Sequence, residues 1–213
     1  MLRSRRYVLT LAPRAVALFV STVLAVSTAL AAMQGPEEVV KETSDKVLEA
    51  LNAENPSALK QNDERLYTLV EKIVLPHFDF RRMSMRVLGR YWRDATKKQR
   101  SRFVEEFKKL LVRTYSSALV DYANAVVKVQ PVRAEDNAKT VVVRTAVELQ
   151  GAAPLRVNYY MYREDDNWKV YDVTVGGVSL VITYRSSFSE DIQRHGLDHL
   201  IEQLASREQK VPG

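Results

Sequence analysis

Apolar residues recur every three or four positions through the first half of the chain and every second position further on, so helices are expected first and strands later. Val39, Val40, Thr43, Val47, Leu48 and Leu51 trace one helical face from Pro36, with Glu37 and Glu38 suiting the helix start and Asn55-Pro56 its end. A second stripe of Leu66, Leu69, Val70, Ile73 and Val74 runs up to Pro76, which stops or kinks a helix. Residues 79–95 read as a third, short helix, with Asp79 as N-cap and Gly89 near its end. The longest helix starts after the capping residue Thr96 and runs from Lys97 to near Ala123. Phe103, Phe107, Leu110, Leu111, Tyr115 and Tyr122 share one of its faces. Such a helix is roughly 40 Å long and can cross a sheet.

The period changes at Val126. A first strand carries Pro131 at an edge or bulge. In the next, Val141, Val143, Thr145, Val147 and Leu149 share a face. In the third, Leu155, Val157, Tyr159 and Met161 face one way. Glu164, Asp165, Asp166 and Asn167 form the hairpin turn into a last strand over residues 168–175, giving an antiparallel meander of four strands. The segment GGVSLVITYRSSF then begins like a strand, but Leu180, Tyr184, Phe188 and Ile192 are four apart, which selects a helix with Ser179 as N-cap. A final short helix is capped by Asp198, and the tail at 208–213 is expected to fray. The fold class is α+β, a curved sheet wrapped by helices: helical over 36–124, sheet over 125–175, helical again over 179–208, in one domain from 32 to 213. Small valines and threonines on such a sheet, facing a long helix, leave room for an internal pocket.

The N-terminus follows different rules. Arg3, Arg5, Arg6 and Arg14 precede an uncharged run from Ala15 to Ala32, and Ala29-Leu30-Ala31 forms a small-residue cleavage site. Residues 1–31 therefore read as a signal peptide. The rival reading, a membrane anchor, has a run only at the short edge of a spanning helix. Ser4-Arg5-Arg6-Tyr7-Val8-Leu9 resembles a twin-arginine export signal, so both the Sec and the twin-arginine routes are open. This segment holds four arginines and no acid, so removing it lowers the net charge from +6 to +2. That balance removes most of the support for nucleic acid as a partner. The chain has no cysteine, which excludes disulfides, thiolate metal sites, a Cys nucleophile and a lipidated N-terminus. The periplasm is the expected destination.

Catalytic chemistry is sparse. His195 and His199 have the spacing of metal ligands, but Gly196 lies between them, so they need not share a face. Asp172, in the last strand, could act as general base in an isomerase-like pocket. The preferred reading is structural, an Asp that pairs with an arginine or caps a helix. No nucleophile elbow, phosphate-cradling loop or H-E-x-x-H is present.

Two long stretches carry a family resemblance. In residues 69–119 these are Leu75-Pro76-His77 with Asp79-Phe80, Met83-Ser84, Leu88-Gly89-Arg90 with Trp92, Gln99, Phe103, Phe107 and Thr114-Tyr115. The second is WKVYDVTVGGVSLVITYRSSF at 168–188. Together they resemble the MlaC proteins, periplasmic phospholipid carriers also called toluene-tolerance proteins. The resemblance implies an NTF2-like α+β fold with an apolar cavity for acyl chains, phospholipid as cargo and no cofactor. It also implies partners: an inner-membrane MCE-domain protein of an ABC transporter, and an outer-membrane lipoprotein with a porin. A monomer is expected. On this reading the cavity wall takes Val74, Phe78, Leu111, Tyr115, Leu119 and Tyr122 from helices. The sheet adds Val143, Val147, Val157, Tyr159 and Val175, and Val181, Tyr184 and Phe188 close one side.

Overall fold

The computed structural model describes residues 34–206 apart from 55, 61, 134–136 and 166. The expected signal peptide and the tail at 208–213 lie outside the described residues. No described helix is long and apolar enough to cross a membrane.

Helices α1 (Pro36–Asn52), α2 (Pro56–Lys60) and α3 (Asp63–Ile73) come first. Pro56 does not merely end α1. Proline is tolerated at the first helical position, where its missing N–H costs nothing, and it opens the short α2. Leu59 of α2 is buried with Leu51 and Leu66, which joins the three helices. A single 3-10 turn at Leu75–His77 follows, as Pro76 requires.

The expected third helix is two: α4 (Phe80–Leu88) and α5 (Arg90–Asp94), broken at Gly89. Gly89 has φ +54°, and a Cβ there would lie 3.0 Å from the Arg185 guanidinium, so both the turn and the close approach need glycine. Asp79 caps α4, accepting from the Arg82 N–H at 2.8 Å. The long helix α6 (Lys97–Asp121) opens with a reciprocal capping box between Thr96 and Gln99.

The sheet has five strands in sequential antiparallel order: β1 (Val126–Val129), β2 (Thr140–Glu148), β3 (Leu155–Glu164), β4 (Asn167–Val175) and the two-residue β5 (Val178–Ser179). The fifth is the start of GGVSLVIT. Val178 and Ser179 do pair with β4 before the chain enters helix α7 (Leu180–His195). Ser179 caps α7 by accepting from the Ile182 N–H at 3.1 Å. A register shift between Tyr160 and Met161 marks a bulge against β4, which bends the sheet. The NTF2-like α+β arrangement, a curved open sheet under helices, stands, with one strand more than the sequence pattern predicts.

Helix α8 (Leu197–Ala205) is capped by Gly196, not by Asp198. Asp198 instead accepts from the Gln99 side chain at 2.9 Å and ties α8 to the start of α6. Leu200, Ile201 and Leu204 of α8 join Phe103, Phe107 and Phe188 in a helical core. A second core lies under the sheet around Val143 and Met161, and a third joins α1–α3 to the end of α6.

Candidate functional site

Helix α6 changes role along its length. Its first half buries Phe103, Phe107 and Leu110 against α7 and α8. Its second half turns Leu111, Tyr115 and Leu119 toward a cavity, and the C-cap residue Tyr122 joins them. The opposite wall is the sheet, through Val147, Leu155, Val157, Tyr159 and Val175. Helix α1 and the α3–α4 connection supply the sides, including Val47, Leu51, Val74 and Phe78. The cavity volume is about 330 Å³.

Among the described residues, the wall contains no carboxylate, lysine or arginine. Its polar groups are hydroxyls and one imidazole. Ser44 is already satisfied, donating to the Val40 carbonyl at 2.8 Å. Tyr115 hydrogen-bonds Tyr184 behind the wall, where burial raises the Tyr184 phenol above its ordinary pKa. Burial pushes the Tyr159 phenol up to about 12. His77 is held below the ordinary histidine range, first by burial and then by Lys169 and Lys46. Lys169 reaches over this end to donate to the Pro76 carbonyl at 2.6 Å. The cavity is therefore suited to a long apolar group rather than a charged one.

Ten of the residues expected on the wall are on it: Val74, Phe78, Leu111, Tyr115, Leu119, Tyr122, Val147, Val157, Tyr159 and Val175. Four are elsewhere. Val143 has the same sheet face but lies further in, fully buried beneath Val39 and Val40. Val181, Tyr184 and Phe188 belong to the helical core, where Phe107 meets Tyr184 edge-on at 5.4 Å and Phe103 meets Phe188 at 6.0 Å. The α7 stripe reaches the cavity only through Leu180. Tyr184 and Phe188 lie about 6 and 12 Å further along the axis and face α4 and α6 instead. Val39, Val40, Val47 and Leu51 line the cavity and were legible as a buried stripe, though nothing in the spacing says which space a stripe faces.

Asp172 lies beside the wall residue Val173 but is not itself on the wall. Its Oδ2 accepts from Ser179 Oγ at 2.6 Å, and its Oδ1 from the Val173 and Val181 N–H groups at 2.8 and 3.1 Å. Both oxygens fasten the start of α7 to β4. The group anchors the first turn of α7 and does not line the cavity, so it is not placed to act as a base on a molecule held there.

Comparison with known proteins decides the family. The sequence profile of the MlaC protein family matches residues 41–206, which include both resembling stretches. The chain belongs to the MlaC family. The intermembrane phospholipid transport system binding protein MlaC of Haemophilus influenzae is 26% identical over 190 residues, spanning 87% of this chain and 88% of that protein. The toluene tolerance protein ttg2D of Pseudomonas putida is 33% identical over 168 residues, 78% of this chain and 77% of its own. A phospholipid-binding protein from Ralstonia solanacearum, solved in complex with a phospholipid, superposes with a TM-score of 0.74 at 33% identity. That alignment covers 80% of this chain and 95% of the Ralstonia chain. The cavity of this MlaC family member thus belongs to a fold with a phospholipid-bound relative.

Proposed function

We propose that this protein carries phospholipid across the periplasm, with acyl chains in the cavity and the headgroup at its mouth, and so maintains the lipid asymmetry of the outer membrane. The observation that carries the reading is the wall itself: Val, Leu, Phe and Tyr from α1, α3, α6 and the sheet, with no carboxylate, lysine or arginine among the described residues. Two chains of about 16 carbons carry on the order of 20 kcal/mol of hydrophobic cost in water. A carrier must cover them.

The headgroup keeps its hydration outside, which accords with the lack of a phosphate-binding loop. Transfer through water is too costly to be useful, so loading and release take place on docked partners. These are an inner-membrane MCE-domain protein of an ABC transporter and an outer-membrane lipoprotein with its porin. The signal peptide at 1–31 delivers the chain to the compartment between them.

The test is purification of the protein without detergent, followed by organic extraction and mass spectrometry. Diacyl phospholipid in stoichiometric amount is expected. Protein that emerges lipid-free and cannot be loaded from phospholipid vesicles would overturn the proposal.

A further inference from the structure

A second cluster of ligand-bearing side chains lies away from the cavity, where α7 hands over to α8. Gly196, at φ +87°, turns the chain between the two helices. Asp191 and His195 are one turn apart on α7, and His195 Nδ1 lies 3.0 Å from Asp191 Oδ1. The turn at Gly196 swings His199, in the first turn of α8, back over them, and the two imidazole rings stand 4.8 Å apart. The other carboxylate oxygen, Asp191 Oδ2, is buried and has no hydrogen-bond partner. One ligand atom from each of Asp191, His195 and His199 lies within 4.8 Å of the other two.

From this arrangement we infer a binding site for a divalent transition-metal cation, Zn²⁺ above all, held by Asp191, His195 and His199 as a staple between α7 and α8. Two imidazoles and one carboxylate are a borderline-soft donor set that suits Zn²⁺, with a fourth tetrahedral position left to water. The same set is too poor in oxygen for Ca²⁺ or Mg²⁺. Metal–ligand bonds of about 2.0–2.2 Å place tetrahedral ligands about 3.3 Å apart, so the side chains must close by up to about 1.5 Å. His195 and His199 are exposed, and the contacts they make, to Asp191 and to Gln203, are surface contacts that such a movement can exchange. A cation would give the orphaned Asp191 oxygen its partner. It also sits at the C-terminal end of α7, where the helix dipole favours positive charge. The neighbouring cation, Arg194, is paired with Glu190 at 2.5 Å. Gln203 supports the arrangement from behind, with its amide nitrogen 2.8 Å from His199 Nε2. The staple joins the two helices across Gly196 and holds Leu200, Ile201 and Leu204 in the helical core. None of the three ligands lines the cavity, so the site stands independently of the lipid reading.

The experiment uses tag-free, chelator-treated full-length protein, titrated with ZnCl2 and separately with MgCl2 by calorimetry and thermal melting. One saturable Zn²⁺ site is expected, with a rise in melting temperature of about 5 °C or more at a hundredfold excess over Kd and no response to Mg²⁺. His199→Gln and Asp191→Asn are each expected to weaken Zn²⁺ binding at least tenfold. His199 is exposed, so its replacement leaves the fold intact. With Cu²⁺, NMR signals of the His195 and His199 rings broaden while that of His77 is spared. Absence of saturable binding, an equal response to Mg²⁺, or full-strength binding by His199→Gln would overturn the site.

Discussion

The phenol of Tyr159 sits in the cavity wall opposite Leu111 and Tyr115, and burial pushes its pKa to about 12. In the unfolded chain it titrates near 10. Up to that pH both states keep the proton, and the folded state is unpenalised. Between the two values only the unfolded state ionises, so stability is lost as pH rises. Tyr159→Phe is therefore expected to flatten the fall in melting temperature between about pH 9 and pH 11. Tyr184 and Tyr162, also raised by burial, leave a residual slope. Thermal melts across that range check it, and an unchanged slope would mean that the phenol is solvated. Asp172 is the opposite kind of residue: polar, at the edge of an apolar wall, yet held by two hydrogen bonds from the start of α7 and one from the Val173 N–H of its own strand.

Helix α6 shows how one amphipathic element serves two purposes. Phe107 is fully buried and contacts both Tyr184 and Phe188. Leu119, three turns on, faces open space. Phe107→Ala leaves a void among packed rings and is expected to cost about 3–5 kcal/mol. Leu119→Ala enlarges a cavity that already exists and should cost clearly less. Urea unfolding midpoints of the two variants make the comparison, and equal losses would show that Leu119 is packed like the core. Helix α7 divides the same way, with Leu180 at the cavity and the rest of its stripe in the helical core.

At the scale of the molecule, an apolar cavity survives because its walls belong to different cores. The sheet is held by the valines around Val143 and Met161, and the helices by the aromatic cluster on Phe107. The space between them can stay unfilled without either collapsing. Val147 stands on the wall near the end of β2, paired with Val127 and Leu155, both also on the wall. Val147→Trp is expected to lower phospholipid occupancy severalfold while melting remains cooperative and close to wild type. Mass spectrometry of extracted lipid measures this. Unchanged occupancy would place Val147 off the lipid path.

The order and kind of elements were legible in the sequence, because burial of one face imposes a period of 3.6 or 2 wherever the element lies. The capping signals at Asp79, Thr96 and Ser179 were legible for the same local reason. Local pattern failed where a residue had two uses. Pro56 opens a helix as well as closing one, and Gly89 splits a helix because Arg185 packs over it from α7. It failed also at Val143, Val181, Tyr184 and Phe188, since periodicity identifies a buried face but cannot tell packed interior from empty interior. His195 and His199 are a third case, brought together with Asp191 only by the turn at Gly196. The sequence alone determined which faces of each element are apolar. Tertiary structure decided which apolar faces meet one another and which enclose a space, because that depends on the distances between elements far apart along the chain.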